Sequence, residues 1–415
     1  MNHPCMKSEL SLFDPPMVQV TMEKGSWEDV HPIASLDGVG PIEFHMVASQ
    51  DEYVDVNDTI FYIRFKVVNS ADGAAILATV KPYTAQLGLS SLFADVSLTL
   101  NDVLVEGGHH LYPYKSMITT DLQFSKGVKT TQLEAAGYHK DSVERIKWLT
   151  GSKSAEFMGP LFLDFFAQSK YLLPGVDMRI KLTRSKLDFA LSNDGKKGTL
   201  KLIIEDAILF VRKVKVSPLV LAAHELGLGK QNAIYPIQQT EMISYTIAQG
   251  TKSHLQDNLF RGAVPKLLVA VMVSNVAFSG DMKEDPLKFE PFGVNFMALY
   301  NNGECVPYKQ PLQPDFANDL YKHTYMSMIQ SLEMYNSNVS NGISLADYKT
   351  GKTYFVFNLT PDLTASGVCG QPYKTANLRL EMKFSTALTS AINVILFALR
   401  DGKVEITKER HIIKS

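Results

Sequence analysis

Residues 96–106 read VSLTLNDVLVE, and residues 294–306 read VNFMALYNNGECV. In each stretch an alternating apolar run ends at a dipeptide that contains asparagine, Asn101-Asp102 or Asn301-Asn302, and a second short run follows. Asparagine tolerates the left-handed backbone of tight hairpin turns, so each stretch has the pattern of two antiparallel strands joined by a turn. The dipeptides lie 301 − 101 = 200 positions apart. The sequence therefore predicts a β-unit that occurs twice.

Two further matches between the halves support a duplication. They are VDMRIKL at 176–182 with ANLRLEM at 376–382, and AILFVRKVKV at 207–216 with VILFALRDGKVEI at 394–406. The arginines of the first match are 200 positions apart, and the ILF triplets of the second are 395 − 208 = 187 apart. A shorter connection before the last match, STALTSA in place of SKLDFALSNDGKKG, accounts for the smaller offset. Matches in the same order at a near-constant offset favour duplication over chance.

A Pro-Tyr-Lys triplet follows each turn, at 113–115 and at 307–309, and a helical pattern follows each triplet. Apolar side chains at helical spacing are Tyr114, Met117, Ile118 and Leu122 in the first half, and Phe316, Leu320, Tyr321, Tyr325, Met328, Ile329 and Leu332 in the second. We therefore expect a helix after each hairpin.

Strand patterns dominate both halves. Strands are predicted at 59–68, 94–100, 178–183 and 200–216, and again at 241–248, 266–278, 294–300, 352–359, 377–384 and 391–400. Turn residues separate them, as in the Ser192-Asn193-Asp194-Gly195 stretch. The alternation of strands with helices that a parallel sheet requires does not appear in the sequence pattern.

A short helix is predicted between the halves, in SPLVLAAHELGLG at 217–229. Ser217 suits the N-cap, Pro218 suits the first helical position, and Gly227 can end the helix in a left-handed conformation. The glycines of LGLGKQ, 226–231, match a helix end better than a phosphate-binding loop, since Gln231 stands where that motif has Ser or Thr.

The fold class that we predict is all-β, with two tandem eight-stranded antiparallel jelly rolls and short helices in loops. Each half has about 200 residues, whereas immunoglobulin-type sandwiches have about 100. The predicted domains are an N-terminal jelly roll at 1–216, a linking helix at 217–229 and a C-terminal jelly roll at 230–415.

The composition is that of an ordinary globular protein, with 45% hydrophobic and 20% charged residues. Because 41 Lys and Arg oppose 43 Asp and Glu, the chain lacks the bulk positive charge that attracts nucleic acid or an anionic membrane. The cysteines Cys5, Cys305 and Cys369 show neither disulfide nor zinc spacing, so a reducing compartment fits best. The first ten residues do not resemble a signal peptide, and the apolar run 267–273 is too short to span a membrane.

Few residues suggest chemistry. Glu106 with His109 and His110 could be a metal trio, but adjacent strand residues face opposite sides, so a loop at a subunit contact is the better interpretation. Glu43 and His45 would share one strand face, as an acid and base of a glycosidase could, yet solvent-facing strands also have this pattern. We assign no catalytic, cofactor-binding or metal-binding residue and expect no cofactor.

Four aromatic side chains are interpreted as packing residues rather than a sugar platform. They are Trp27 and the cluster Phe162, Phe165 and Phe166. We expect them in a core or in a contact between subunits.

The string SLFADVSLTLNDVLVEGGHHLYPYKSMITTDLQFSKGVKTTQLEAAGYHKD, at 91–141, resembles the major capsid proteins of the Polinton (Maverick) and adintovirus lineage, virus-like elements integrated in animal genomes. The words that carry the resemblance are LNDVLVE, LYPYK and SKGVKTTQLEAAGYHKD. The similarity continues through FVRKVKVSP at 210–218 and LVLAAHELGL after it, and is looser in the C-terminal half.

The resemblance implies a double-jelly-roll capsid protein that is not an enzyme. Three copies would form a pseudo-hexagonal homotrimer, and trimers would contact one another in an icosahedral shell around DNA. A vertex (penton) protein and minor capsid proteins would be further partners, without sequence-specific nucleic acid binding or a membrane-spanning segment. The protein would be made in the host cytoplasm, assembled there or in the nucleus, and located in the virion capsid.

Loops 106–160 and 302–350 are expected to form the outer towers and contacts within the trimer. The alternative from another class is a glycan-binding or glycan-processing protein on a tandem jelly-roll scaffold, since a fold does not fix function. That alternative would need a cleft lined by convergent carboxylates, for which the sequence offers only Glu43 and His45.

Overall fold

The structure is a computed structural model, and it describes residues 18–414 except 48, 78, 194–199, 261, 366–369, 372, 373 and 376. Three sequence-based expectations lie outside the described residues. They concern the first ten residues, the cysteines Cys5 and Cys369, and the second half of the turn at 192–195.

Strands account for most of the regular structure. In the first half they are β1 Met22–Val30, β2 Ile42–Met46, β3 Glu52–Asn69, β4 Tyr83–Thr84, β5 Phe93–Leu100, β6 Val103–Glu106, β7 Ala155–Pro160, β8 Met178–Arg184, β9 Leu191–Ser192 and β10 Leu200–Val216. In the second half they are β11 Ala233–Ile247, β12 Ser253–Gln256, β13 Leu267–Ser274, β14 Val294–Asn301, β15 Glu304–Val306, β16 Phe355–Asn358, β17 Leu378–Phe384, β18 Ile392–Ile406 and β19 Ile412–Lys414.

The helices are short and lie in the connections. They are α1 Gly88–Ser91, α2 Tyr112–Gln123, α3 Lys126–Lys129, α4 Ser142–Leu149, α5 Leu187–Ala190, α6 Pro218–Leu228, α7 Asn275–Ser279, α8 Lys322–Ser331 and α9 Leu345–Lys349. Single 3-10 turns occur at Gln132–Glu134, Thr150–Ser152 and Asp164–Ala167.

The two halves have the same sheet topology. The first half contains sheets in the order β1-β10-β3-β7 and β2-β8-β5-β6, and the second contains β11-β18-β13-β16 and β12-β17-β14-β15. β4 and β9 form a small separate sheet, and β19 pairs with β18. If the remaining eight strands of each half are numbered in chain order, both halves have the orders 1-8-3-6 and 2-7-4-5. Each half is therefore an antiparallel jelly roll, which confirms the predicted fold class.

Alternating burial explains why these segments form two-layered sheets. In β2 the side chains of Ile42, Phe44 and Met46 are buried, and the two residues between them are partly exposed. β8 alternates in the same way, with Met178, Ile180 and Leu182 buried. One face of each strand thus points into the sandwich and the other points away from it.

The two hairpin turns are structurally equivalent, but the second turn lies one residue later than the sequence match predicted. Leu100 pairs with Val103 across the first turn, and Asn301 pairs with Glu304 across the second. The turn residues are therefore Asn101-Asp102 and Asn302-Gly303, all with positive φ. The predicted pairing of Asn101 with Asn301 was wrong, since the turns lie 201 positions apart rather than 200.

An asparagine at the equivalent turn position makes the same hydrogen bonds in both hairpins. The backbone N–H groups of Asn101 and Asn302 donate to the carbonyls of Asp177 and Asn377. In return, the side-chain Oδ1 atoms accept from the N–H groups of Asp177 and Asn377, at 2.7 and 3.1 Å. Asn101 makes a further bond, with its Nδ2 donating to the carbonyl of Arg410 at 2.8 Å. These bonds fix the register of β8 and β17 against the turns.

The predicted helices formed with changed limits. α2 includes the first Pro-Tyr-Lys triplet, but α8 begins at Lys322, thirteen residues after Lys309 (322 − 309 = 13). α6 runs through Gly227 and ends at Leu228, and Gly229 has a φ of −70°. The predicted left-handed end at Gly227 was therefore wrong. The predicted strand at 266–278 was too long, because β13 ends at Ser274 and α7 follows.

The aromatic residues separate into two groups. Phe162, Phe165 and Phe166 are buried, as expected of core residues. Trp27 is 53% exposed on β1, which is an edge strand, so of the two expected places, a core or a contact between subunits, the structure excludes the core. A role for Trp27 in a contact between subunits stays a prediction.

Strand directions place two long insertions opposite α6. In the first half β7 is antiparallel to β3, and β3 is antiparallel to β10, so β7 begins at the end of the sheet where β10 begins. Because α6 follows the other end of β10, the insertion 107–154 that leads into β7 lies opposite α6. The insertion 307–354 before β16 is also opposite α6. β16 and β18 are both antiparallel to β13, so β16 begins at the end of the sheet where β18 begins. Because β18 is antiparallel to β11, that end is where β11 ends, whereas α6 precedes the start of β11.

The hairpin asparagines provide a test of these bonds. We expect Asn101→Ala to lower the free energy of unfolding by about 3 kcal/mol and Asn302→Ala by about 2 kcal/mol, from the left-handed backbone and the lost hydrogen bonds. Urea unfolding followed by circular dichroism measures both, and each variant serves as the control for the other. Equal losses would show that the bond to the Arg410 carbonyl contributes nothing.

Candidate functional site at the junction of the two halves

Buried ion networks join the two jelly rolls. The first surrounds Lys115, which α2 places beside Glu106 at the end of β6. The Lys115 Nζ atom lies 2.7 Å from Oδ1 of Asp164 and also contacts Oε1 of Glu106. The other Glu106 oxygen accepts from the backbone N–H of Asp164 at 2.6 Å. All three side chains are at most 14% exposed, so water screens this cluster weakly.

Asp164 carries this cluster into the second half. Its Oδ2 accepts from the backbone N–H of Thr240 at 2.6 Å, and its Oδ1 accepts from the Thr240 hydroxyl at 2.9 Å. Burial by itself would lower the pKa of Lys115, but the carboxylates of Glu106 and Asp164 outweigh burial and raise the pKa. Lys115 therefore stays charged and holds both acids in place.

The second network is centred on Asp121, whose side chain is 1% exposed. Its Oδ2 lies 2.5 Å from Nζ of Lys352 and accepts from the Tyr354 hydroxyl at 2.5 Å. Its Oδ1 accepts from the Tyr138 hydroxyl at 3.1 Å and lies 3.4 Å from Nζ of Lys129. One carboxylate of the first half is thus bound by groups from both halves.

Two ammonium groups face this single carboxylate. Burial would raise the pKa of the Asp121 carboxyl, but Lys352 and Lys129 outweigh burial, and the pKa lies below its ordinary value. Burial lowers the pKa of Lys129. Lys129 also donates to the carbonyl of Asn341 at 2.9 Å, so it too bridges the halves. Removing Asp121 would leave two buried cations without their counter-ion, which is the costly case for a buried ion pair.

The two insertions also contact one another directly. The N–H of Lys126 donates to the carbonyl of Ser340 at 3.1 Å, and the Lys140 ammonium contacts the Asp347 carboxylate. The insertions therefore form one continuous surface at the end opposite α6. The predicted tower ranges need adjustment, because 155–160 is β7 and the second insertion continues to 354.

The predicted acid–base pair lies on one face of β2, but other side chains of the same sheet engage it. Glu43 lies 3.4 Å from Nζ of Lys181, and Nε2 of His45 lies 3.9 Å from Oδ2 of Asp177. Both partners belong to β8 or precede it directly. This arrangement matches a cross-strand charge pattern, in which Glu43 faces a lysine and His45 faces an aspartate.

The structure separates the residues of the predicted metal trio. Glu106 faces Lys115, whereas His109 and His110 are exposed in the loop before α2. The N–H of Gly108 donates to the carboxylate of Asp95 at 3.0 Å, which fixes the loop. In the described ranges, no group of three His, Cys, Asp or Glu side chains could hold a metal ion. Cys305 is a free, partly exposed thiol.

Sequence reasoning missed both networks, although one signal was available. Asp121 lies between Met117, Ile118 and Leu122, so an acid occupies the apolar stripe of the predicted helix. A charged residue on a buried helix face needs a partner. The partner Lys352 is 231 residues away, and no local pattern identifies it.

α6 presents an apolar surface at the opposite end. Leu219 is 83% exposed and Leu226 is 73% exposed. Exposed apolar groups at one place are common where proteins bind other proteins. Among the described residues, no helix combines the length and the apolar character needed to cross a membrane.

Replacement of the central carboxylate tests the second network. We expect Asp121→Asn to lower the free energy of unfolding at pH 7 by about 3–5 kcal/mol, because Lys129 and Lys352 then lack their counter-ion. Thermal and urea unfolding measure the loss. The matched control is Asp102→Asn. The Asp102 carboxylate is 82% exposed beside Arg179, so its replacement should lower the free energy of unfolding by less than about 1 kcal/mol.

The pH dependence sharpens this test. A carboxyl with a lowered pKa stabilises the fold above its unfolded pKa of about 3.9, and this contribution is lost as the pH falls through the folded pKa. The difference between wild type and Asp121→Asn should therefore shrink below about pH 4. A difference that is constant down to pH 2 would contradict an ionised Asp121.

No family model matches the chain. An uncharacterized protein of Caenorhabditis elegans is 23% identical over 365 residues, which cover 83% of this chain and 86% of that protein.

Solved structures share the fold across the whole chain. A chain of the Sputnik virophage superposes with a TM-score of 0.65 at 12% identity, covering 100% of this chain and 92% of that chain. A chain of the PBCV-1 virus capsid gives 0.58 at 10% identity, with 97% and 99% covered. The mavirus major capsid protein gives 0.56 at 10% identity, with 99% and 94% covered. The chain has the double jelly-roll fold of these viral capsid proteins.

Proposed function

We propose that this protein is a structural major capsid protein of the Polinton (Maverick) and adintovirus lineage and acts by self-assembly rather than by catalysis. The observation that carries this proposal is the repetition of one eight-stranded arrangement, with both copies fixed side by side by buried charges. The sequence words at 91–141 support the lineage, and the fold shared with viral capsid proteins supports the role.

The repeated unit has a geometric consequence. Three copies of a chain with two similar jelly rolls present six similar edges, so a homotrimer approximates a hexagon that can tile a closed shell. Such tiling requires a fixed angle between the two halves, which the Asp121 and Lys115 networks support. We propose the domain limits 1–216, 217–229 and 230–415, with the middle segment as the link.

The proposed partners follow from this role. They are further copies of the chain, first in the trimer and then between trimers, together with a vertex protein and minor capsid proteins. The net charge of −2 does not oppose the packing of many copies. The location is the virion capsid, after synthesis in the host cytoplasm. We propose that the insertions 107–154 and 307–354 face outward and that α6 faces the interior.

The mass in solution tests self-assembly. We expect light scattering behind a sizing column to give a species near 138 kDa, since 3 × 46.1 kDa is 138.3 kDa, with pseudo-hexagonal outlines in negative stain. Because apolar contacts should dominate, the trimer should persist from low to high salt. A monomer at every concentration and salt would refute the proposal, and hydrolysis or binding of glycans that is lost in Glu43→Gln would favour the alternative.

Epitope insertion tests the orientation in the shell. A short peptide tag between Asn336 and Ser337, both exposed in the second insertion, should bind antibody on intact shells. The matched control places the same tag between Gly229 and Lys230, exposed directly after α6. That tag should bind antibody on trimers but at least tenfold less on shells. The reverse accessibility would show that α6 faces outward.

A further inference from the structure

A cavity of about 350 Å³ lies between the two halves, at the end that carries the insertions. The end of β8 and α5 form one side of it, and α7 of the second half forms another. The cavity is separate from the Lys115 and Asp121 networks, whose charged groups do not line it.

One wall of this cavity is aromatic. Tyr114 stacks on Phe278 across the junction, with ring centroids 5.6 Å apart and planes at 18°. Phe189 meets the Tyr114 ring edge-on, at 5.8 Å and 75°. The three rings come from α2, α5 and α7, so both halves contribute. Flat apolar groups pack favourably on such a surface.

The cavity is also lined by cationic side chains. Arg184 and Lys186 line it together with His110, and the lining residues in the described part of the chain include no carboxylate. Arg184 donates from Nη2 to the carbonyl of Leu36 at 2.9 Å. Burial lowers the pKa of the Arg184 guanidinium, and no acidic group among the described residues opposes that effect. A partly buried cation without a counter-ion favours binding of an anion.

Several buried polar atoms at this cavity also lack a partner. Within the described residues, the Nε atom of Arg184, the Oγ atom of Ser185 and the Tyr114 hydroxyl accept or donate no hydrogen bond. Tyr114 is 2% exposed. Burial raises the pKa of the Tyr114 hydroxyl, and the negative charge of Asp285 raises it further. The Asp285 carboxylate itself lies 3.8 Å from the Arg145 guanidinium. Buried polar atoms of this kind usually have a partner, so three beside one cavity leave hydrogen-bonding capacity that a ligand can satisfy.

The backbone around the cavity leaves this space open. β5 has a bulge at Ala94, because Phe93 pairs with Arg184 while Asp95 pairs with Thr183. Ala94 is thus unpaired and lines the cavity. Bulges are common beside binding sites because they redirect side chains.

We propose that this cavity binds a small aromatic carboxylate, with the carboxylate at Arg184 and the ring against Tyr114, Phe189 and Phe278. The hydroxyls of Ser185 and Tyr114 can donate hydrogen bonds to the carboxylate, and Lys186 adds positive charge to the lining. The inference is independent of the proposed assembly, because one copy of the chain supplies every group.

The test uses 4-fluorobenzoate as the probe, observed by fluorine NMR during titration of the purified full chain at pH 7. For a ligand of this size we expect saturable binding with a Kd of about 1 mM. The neutral analogue 4-fluorobenzyl alcohol should bind at least tenfold more weakly, because it lacks the charge that Arg184 recognises. No saturation below about 20 mM, or equal binding of the neutral analogue, would overturn the proposal.

Two variants locate the site. Arg184→Gln should weaken binding at least tenfold, whereas the control Arg179→Gln, which changes an exposed arginine of the same strand, should leave it unchanged. Ser279→Trp introduces a large side chain at a lining position on α7, so it should fill the cavity and abolish binding without removing any charge. If Arg184→Gln does not fold, Ser279→Trp decides the matter. Binding that survives in Ser279→Trp would place the probe elsewhere and refute this site.

Discussion

The buried carboxylate of Asp121 is the centre of the contacts that hold the two jelly rolls against each other, and the Lys115 network adds to them. Asp121 lies on α2 of the first half, and the ammonium of Lys352 and the hydroxyl of Tyr354 approach it from the second half at 2.5 Å each. Charges that leave water lose hydration free energy, and they recover it only when their partners are close and correctly oriented. A small rotation between the halves would therefore break several strong contacts at once, which favours one relative orientation.

Duplication is clearer in the hydrogen bonds than in the sequence. Asn101 exchanges two hydrogen bonds with Asp177, the residue directly before β8. Asn302 makes the same two bonds with Asn377, the residue directly before β17. A strand that slips by one residue exchanges its buried and exposed faces, so the turn and its asparagine must stay in register even as other residues diverge. The two Pro-Tyr-Lys triplets have different structural roles. The first supplies Lys115, which is buried in an ion network, whereas Lys309 of the second is exposed.

The junction gives the molecule two different ends. The insertions meet at one end, where Lys126 bonds to Ser340, and the apolar helix α6 lies at the other. In the proposed shell, this difference would separate the surface that faces solvent from the surface that faces the contents. The cavity beside Arg184 belongs to the first end. It exists because α5 and α7 from different halves meet over a bulge in β5.

The sequence by itself determined the fold class, the repetition, the position of the linking helix and most strands, because period-two burial and turn residues are local properties. The sequence also contains a signal for a buried charge that was missed, the acid Asp121 within the apolar stripe of α2. The tertiary structure decided what that acid binds, how far α6 extends, that Trp27 is exposed on an edge strand and that Arg184 borders a cavity. Those features depend on which distant segments meet. A local sequence pattern predicts whether a side chain is buried. The residue that neutralises a buried charge is determined only when the two halves come together.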